Sequence, residues 1–487
     1  MFPLWGESRH AALLGRGSFT VPVELTKPLS WKTAQGDEAT VLAELQPNIV
    51  KPHVRDHLSV LFVRFDDARE ARGFLCALAG LMKSAKEHLV EVETFKVAHA
   101  RGTPYVGVGL SRTGYDALGI ATAPADPSFR RGMRDALTRE KLADPPRSSW
   151  DVAYRDRVDA VVLVGADTDA ALTARRNEVL RLVPDSVTVL GEETGLSRVN
   201  ERGEGIEHFG YVDGRSQPLF LTEDIDAEKH TTDGINEWDP AAPLGQVLVS
   251  DPAAPDPSVH FGSYFVFRKL EQNVRRFKQA ESDLADALGL TGDDRERAGA
   301  MLVGRFEDGT PVTSNSGPGS HSPVGNDFSY DSDDLGQKCP FHAHIRKTNP
   351  RGSGGFEDPA EERGHLMARR GQTYGERSDD PNGDEPISAR PTGGVGLLFM
   401  AFNSDLGDQF EFTQQIWANN TEFPRVPEGT KPPGLDLVIG QGPRAETTYA
   451  PSWGRNGATP ADPAAQAVTM KGGEYFFMPS LAFLRNL

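Results

Sequence analysis

The order in which apolar patterns follow one another constrains this chain's fold more than any single residue. Leu58-Ser59-Val60-Leu61-Phe62-Val63-Arg64-Phe65 has the branched and aromatic content of a buried strand. In 68–86, Phe74, Leu75, Leu78, Leu81 and Met82 recur at helical spacing. Strands are expected at 105–110, 160–164 and 187–190, with a helix from Thr113 and another over 167–182. Strand, helix, strand, strand, helix, strand is the ferredoxin-like order, an antiparallel sheet with helices on one face. The second half repeats it loosely. Strands fit 262–268, 396–402 and 475–478, and helices fit 271–288 and 405–417. The Gly-, Ser-, Asp- and Pro-rich stretch 304–334 and the run 351–363 read as long loops. The expectation is an α+β chain with an arm over the surface at 1–47, then ferredoxin-like halves at 48–235 and 236–487.

At 487 residues the chain exceeds what one compact core accommodates. Its 52 Lys and Arg against 70 Asp and Glu leave a net charge of -18, which repels a phosphate backbone and argues against nucleic acid. No run of about 18 apolar residues is present, so no membrane span is expected. The start lacks a basic segment followed by a long apolar stretch, and the 2 cysteines, Cys76 and Cys339, stand far apart. Both features fit a reducing cytoplasm better than secretion.

Against this acidic background, Cys339-Pro340-Phe341-His342-Ala343-His344-Ile345-Arg346-Lys347-Thr348-Asn349-Pro350-Arg351 sets two histidines among cations. Imidazole is a common ligand of haem iron, and the haem propionates need cationic partners. Two ordinary readings compete. An isolated histidine is usually a hydrogen-bonded surface or core residue. Cys339, His342 and His344 also suggest zinc, but structural zinc takes four ligands and Cys76 brings no histidine at metal-site spacing.

Other motifs accompany the histidine segment in a fixed order. They are Asp56-His57-Leu58-Ser59-Val60-Leu61-Phe62, then Gly210-Tyr211-Val212-Asp213-Gly214 running into Arg215-Ser216-Gln217-Pro218. After the histidines come Ala368-Arg369-Arg370-Gly371-Gln372-Thr373-Tyr374-Gly375, Gly396-Leu397-Leu398-Phe399-Met400, Asp408-Gln409-Phe410-Glu411-Phe412 and Gly472-Gly473-Glu474-Tyr475-Phe476-Phe477-Met478-Pro479-Ser480. In this order they resemble the dye-decolourising peroxidase family of haem proteins, from about residue 48 onward. The resemblance implies two ferredoxin-like halves packed as a dimeric α+β barrel, holding one haem b per chain. It implies hydrogen peroxide as oxidant and phenolic or dye-like one-electron donors. A haem-handling protein that releases iron, or a haem store, is the competing reading; a homo-oligomer is left open.

The resemblance also assigns residues. His344 matches the iron ligand, with His342 the competitor, since an extended segment would turn both to one side. Asp213 matches the distal acid–base, although an Asp between glycines is ordinarily a turn former. A carboxylate ionised down to about pH 4 would accept a proton where a histidine base is already charged. Arg369 matches the distal cation; Thr373 stands where the family often has proline. Leu397 and Phe399, alternating on one strand, suit a dry pocket or plain core. Arg346 and Arg351 suit the propionates as guanidinium partners. Glu411, between two phenylalanines, is the candidate carboxylate behind the iron's histidine, or else a solvated helix residue. Tyr374 is a candidate electron carrier or packing residue. Manganese, which prefers oxygen ligands, would look to Glu271, Glu281 and Asp283 on a helix whose ordinary reading is a solvated face.

Overall fold

The computed structural model describes residues 23–53, 55–231, 234–319 and 324–487. Four strands of the first half, β1 (His57–Phe65), β2 (Tyr105–Leu110), β3 (Ala160–Ala166) and β4 (Val187–Leu196), lie in the order β4-β1-β3-β2. Four of the second half, β5 (Phe261–Gln272), β6 (Gln372–Tyr374), β7 (Gly396–Asn403) and β8 (Val468–Met478), lie in the order β8-β5-β7-β6. Both sets therefore have the ferredoxin-like order, and all their pairings are antiparallel. Tyr374 of β6 pairs with Gly195 of β4, and Phe477 of β8 with Leu110 of β2, closing the two sheets into one α+β barrel. Two short strands, Val249–Ser250 and Ala368–Arg369, pair with β5 and β7.

Burial explains the closure. The strands β1, β2 and β3 are buried at almost every position, as expected where helices cover one face and the opposite sheet covers the other. Phe62 of β1 meets Phe267 of β5 across the interior with ring centroids 4.8 Å apart. The helices Ala68–Ala79 and Asp169–Leu182 cover the first half, each started by a side-chain cap, Asp67 on Glu70 N–H and Thr168 on Ala171 N–H.

Three local expectations change. The helix expected over 68–86 ends at Ala79, and a second helix, Ala85–Ala98, starts at a Ser84–Glu87 capping box. Of the arm expected at 1–47, residues 1–22 lie outside the described residues. Asp37–Glu44 is a helix that buries Val41 and Leu42 in the main core rather than lying over the surface. Within the loop expected at 351–363, Pro359 begins a helix that Asp358 caps. Among the described residues no helix is long and apolar enough to cross a membrane.

Candidate active site

His344 is the first residue of the short helix His344–Thr348, with Ala343 as its N-cap. The segment is thus not extended, and its two imidazoles point to different places. His342 packs edge-on against Tyr449, ring centroids 4.8 Å apart, and burial pushes its pKa down to about 3. His344 instead lines a cavity of about 270 Å³. Its Nδ1 donates to Asp436 Oδ2 at 2.8 Å, which leaves Nε2 as the nitrogen on the far side of the ring. Burial works against a charged His344, but the Asp436 carboxylate outweighs it and raises the imidazole above its ordinary value. Burial likewise disfavours a charged Asp436. His344 and the N–H groups of Val438 and Ile439, 2.7 and 2.8 Å from Oδ1, still hold it below the usual carboxylate range.

Asp213 and Arg369 line the same cavity. Gly210 and Gly214 adopt φ of +101° and +83°, left-handed values that form the turn around Asp213. Asp213 Oδ1 accepts the Gly214 N–H at 2.6 Å, so the aspartate is a turn former as well, yet its side chain is 40% exposed. Arg369 pairs with Ala401 of β7, and its Nη1 lies 3.7 Å from Asp213 Oδ1. Its Nη2 donates to Arg215 O at 2.8 Å. Leu397 and Phe399 face the cavity from alternate positions of β7, while Leu398 between them is buried in the core. Arg351 also lines it, with Nη2 donating to Ser216 Oγ at 2.8 Å and to Asn326 Oδ1 at 2.9 Å.

Three expectations are corrected. Arg346 is two residues past His344, about 200° around the helix. It therefore points away from the cavity, where Asp333 Oδ2 accepts from Nη1 at 3.0 Å and the ring of Phe341 lies 4.3 Å off. Glu411 does not reach His344. Phe410 takes the cavity-facing position, and Glu411, one step round the helical segment, bonds Ser128, Lys141 and Tyr475. The carboxylate on the histidine is Asp436. Glu271, Glu281 and Asp283 do not converge, because Glu271 lies on β5 rather than on the helix and accepts the Gly394 N–H. Glu281 turns inward to Tyr211 and Lys278, and Asp283 takes the Gln279 amide on the exposed side.

The sequence reading missed Asp436, Arg305 and Phe410, all at or behind the cavity wall. The one cue for Asp436 was a carboxylate between two leucines, Leu435 and Leu437, with its partner 92 residues upstream. Arg305, beside Arg351, donates to Gly309 O at 2.8 Å and Gly325 O at 2.6 Å and lines the cavity. Haem fits this donor set. One imidazole backed by a carboxylate enters an apolar cavity whose walls include Leu397, Phe399 and Phe410, with guanidinium groups from Arg305 and Arg351 in its lining.

Residues 44–199 match the family model described as the DyP dimeric alpha+beta barrel domain. The chain is 69% identical over 468 residues to the multifunctional dye peroxidase DyP2 of Amycolatopsis sp., covering 96% of this chain and 100% of that protein. It is 31% identical to a dye-decolorizing peroxidase of Auricularia auricula-judae, covering 77% of this chain and 74% of that one. The solved structure of the Amycolatopsis protein superimposes with a TM-score of 0.94 over 96% of this chain and all of that one. A DyP-type peroxidase of Anabaena superimposes at 0.86, with 35% identity over 94% of this chain and 97% of its own. With the barrel, the imidazole–carboxylate couple and the aspartate–arginine pair in one cavity, these likenesses make the chain a member of the dye-decolourising peroxidase family.

Proposed function

We propose that this chain is a haem peroxidase that uses hydrogen peroxide to oxidise phenolic or dye-like donors one electron at a time, with one haem b per chain. One observation carries the reading: an imidazole fixed by a buried carboxylate opens on the same apolar cavity as an Asp–Arg pair. Bound haem supplies the redox chemistry of peroxide cleavage. His344 is the residue that would hold the iron, and Asp436 fixes its tautomer and strengthens its electron donation. Arg351 and Arg305 would hold the propionates. Asp213 is the base that takes the proton from the inner peroxide oxygen and returns it to the outer one. Arg369, beside it, stabilises the negative charge that gathers on the departing oxygen. Leu397, Phe399 and Phe410 give the cavity an apolar wall, while the Asp213–Arg369 pair stays partly open to solvent.

The free thiols Cys76 and Cys339 support a cytoplasmic setting. Manganese as donor gains nothing from Glu271, Glu281 and Asp283, which face different ways.

The test is spectroscopic. Purified protein should show a Soret band, and stopped-flow mixing with peroxide should change it promptly. His344→Ala should abolish stable haem binding, whereas full haem content in that variant would overturn the ligand assignment. Haem that binds but stays inert to peroxide would replace this reading with haem handling.

A further inference from the structure

Behind Phe410 lie two buried groups that the peroxide chemistry above does not use. Tyr475 of β8 and Glu411 are both fully buried, and Tyr475 Oη donates to Glu411 Oε1 at 3.0 Å. The Tyr475 ring meets Phe410 edge-on, centroids 6.0 Å apart, and Phe410 lies 6.0 Å from Phe399. Both phenylalanines line the cavity, so one aromatic ring separates the phenol from it. The other carboxylate oxygen, Oε2, is anchored by Lys141 Nζ at 2.7 Å and Ser128 Oγ at 2.8 Å. The carboxylate is thereby held with Oε1 on the phenol.

We propose that Tyr475 and Glu411 form a proton-coupled redox site that stores one oxidising equivalent drawn from the cavity. The proposal rests on the haem peroxidase reading, which names the oxidant: haem after its reaction with peroxide. Tyr475 gives that oxidant one electron by way of Phe410. The phenolic O–H bond breaks at the same time, and the proton passes to Glu411 Oε1. A neutral phenoxyl radical and a neutral carboxylic acid remain, so no positive charge is stranded on a buried ring. An electron from a donor later reduces the radical, and Glu411 returns the proton.

Other aromatic groups near the cavity are less suited. Tyr211 also donates to a carboxylate, Glu281 at 2.6 Å, but Lys278 Nζ lies 5.3 Å from its ring centre. Tyr374 carries Lys269 Nζ at 5.0 Å in the same way. A cation over the face opposes removal of an electron from a ring, and among the described residues none lies over Tyr475; Arg268 lies 5.5 Å from the centre of Phe410, a ring that relays the electron without itself being left oxidised. Trp417 stands 5.4 Å from His365 of the cavity lining, but its Nε1 has no acceptor among the described residues to take a proton.

The experiment is freeze-quench electron paramagnetic resonance of the haem-loaded full chain after peroxide, with ring-deuterated tyrosine identifying the radical. A tyrosyl signal is expected that disappears in Tyr475→Phe and is largely lost in Glu411→Gln, while Tyr211→Phe and Tyr374→Phe keep it. The Soret band is followed in the same samples. No Soret response to peroxide would remove the peroxidase reading itself, whereas a normal response with an unchanged radical in Tyr475→Phe overturns only the redox pair. Should either variant lose haem, the parent protein decides by double resonance in heavy water. An exchangeable proton coupled to the radical supports the pair, and its absence overturns it.

Discussion

Asp436 illustrates how one residue acts through another. Its carboxylate reaches the cavity only by way of the His344 ring, and that ring together with two backbone N–H groups favours its charged form where burial disfavours it. Asp436→Asn keeps an oxygen for the ring N–H but removes the charge. Haem affinity or peroxide turnover should fall by roughly ten- to a hundredfold, read by haem titration of the apoprotein and by stopped flow. Asp213→Asn removes the proton acceptor that stands beside Arg369. The rate of reaction with peroxide should fall at least about a hundredfold with haem content unchanged, and a parental rate would give the proton transfer to another group. His344, Asp213 and Arg369 were legible in the sequence because each sits in a local motif. Asp436 was not, since its meaning depends on a contact that the sequence does not encode as spacing.

At the scale of the element, the helix His344–Thr348 decides which charges belong to the site. Its turn puts His344 on the cavity side and Arg346 on the far side, against Asp333. Lys347, three residues on, is fully buried, and its Nζ donates to Asn420 O, Phe423 O and Gly434 O at 2.7, 2.6 and 2.6 Å. These carbonyls belong to the segment that leads into Asp436, so the helix grips that segment twice, at the ammonium and at the imidazole. Lys347→Met leaves three carbonyls, one buried and two half-buried, without their donor. A loss of about 3 kcal/mol in unfolding free energy is expected, measured by urea denaturation. The same rotation explains Glu411: an apolar flank made it look like a partner of His344, but helical phase gave the cavity to Phe410.

Across the whole molecule, buried ionisable groups of opposite sign shape the response to pH. Burial pushes His88 and His208 each down to about 4, and it raises Glu296 to about 7, helped by nearby Glu307 and Asp308. For the histidines the unfolded chain takes up the proton first. Their effect is constant above about pH 6.5, and stability is lost as pH falls from there through the folded value, by up to about 1.4 kcal/mol per pH unit for each. For Glu296 the folded chain holds the proton longer. Its contribution is complete below about pH 4.5 and is lost as pH rises through the folded value. Thermal melts should show His88→Gln gaining on the parent between pH 6.5 and 4, with a constant difference above. Glu296→Gln should gain on the parent between pH 4.5 and 7, with a constant difference below. Identical slopes in parent and variants would mean these groups titrate alike in both states.

The sequence by itself determined the element order of the first half, three of the four barrel strands of the second without Gln372–Tyr374, and the three residues that sit in local motifs. Alternating burial and turn chemistry are properties of neighbours along the chain. It could not determine which carboxylate backs His344, which arginines enter the cavity or which phenylalanine walls it. Those depend on helix phase and on barrel closure, where Tyr374 meets Gly195 and Phe477 meets Leu110. Closure brings together segments hundreds of residues apart, and only then does a side chain acquire the neighbours that fix its charge and its chemistry.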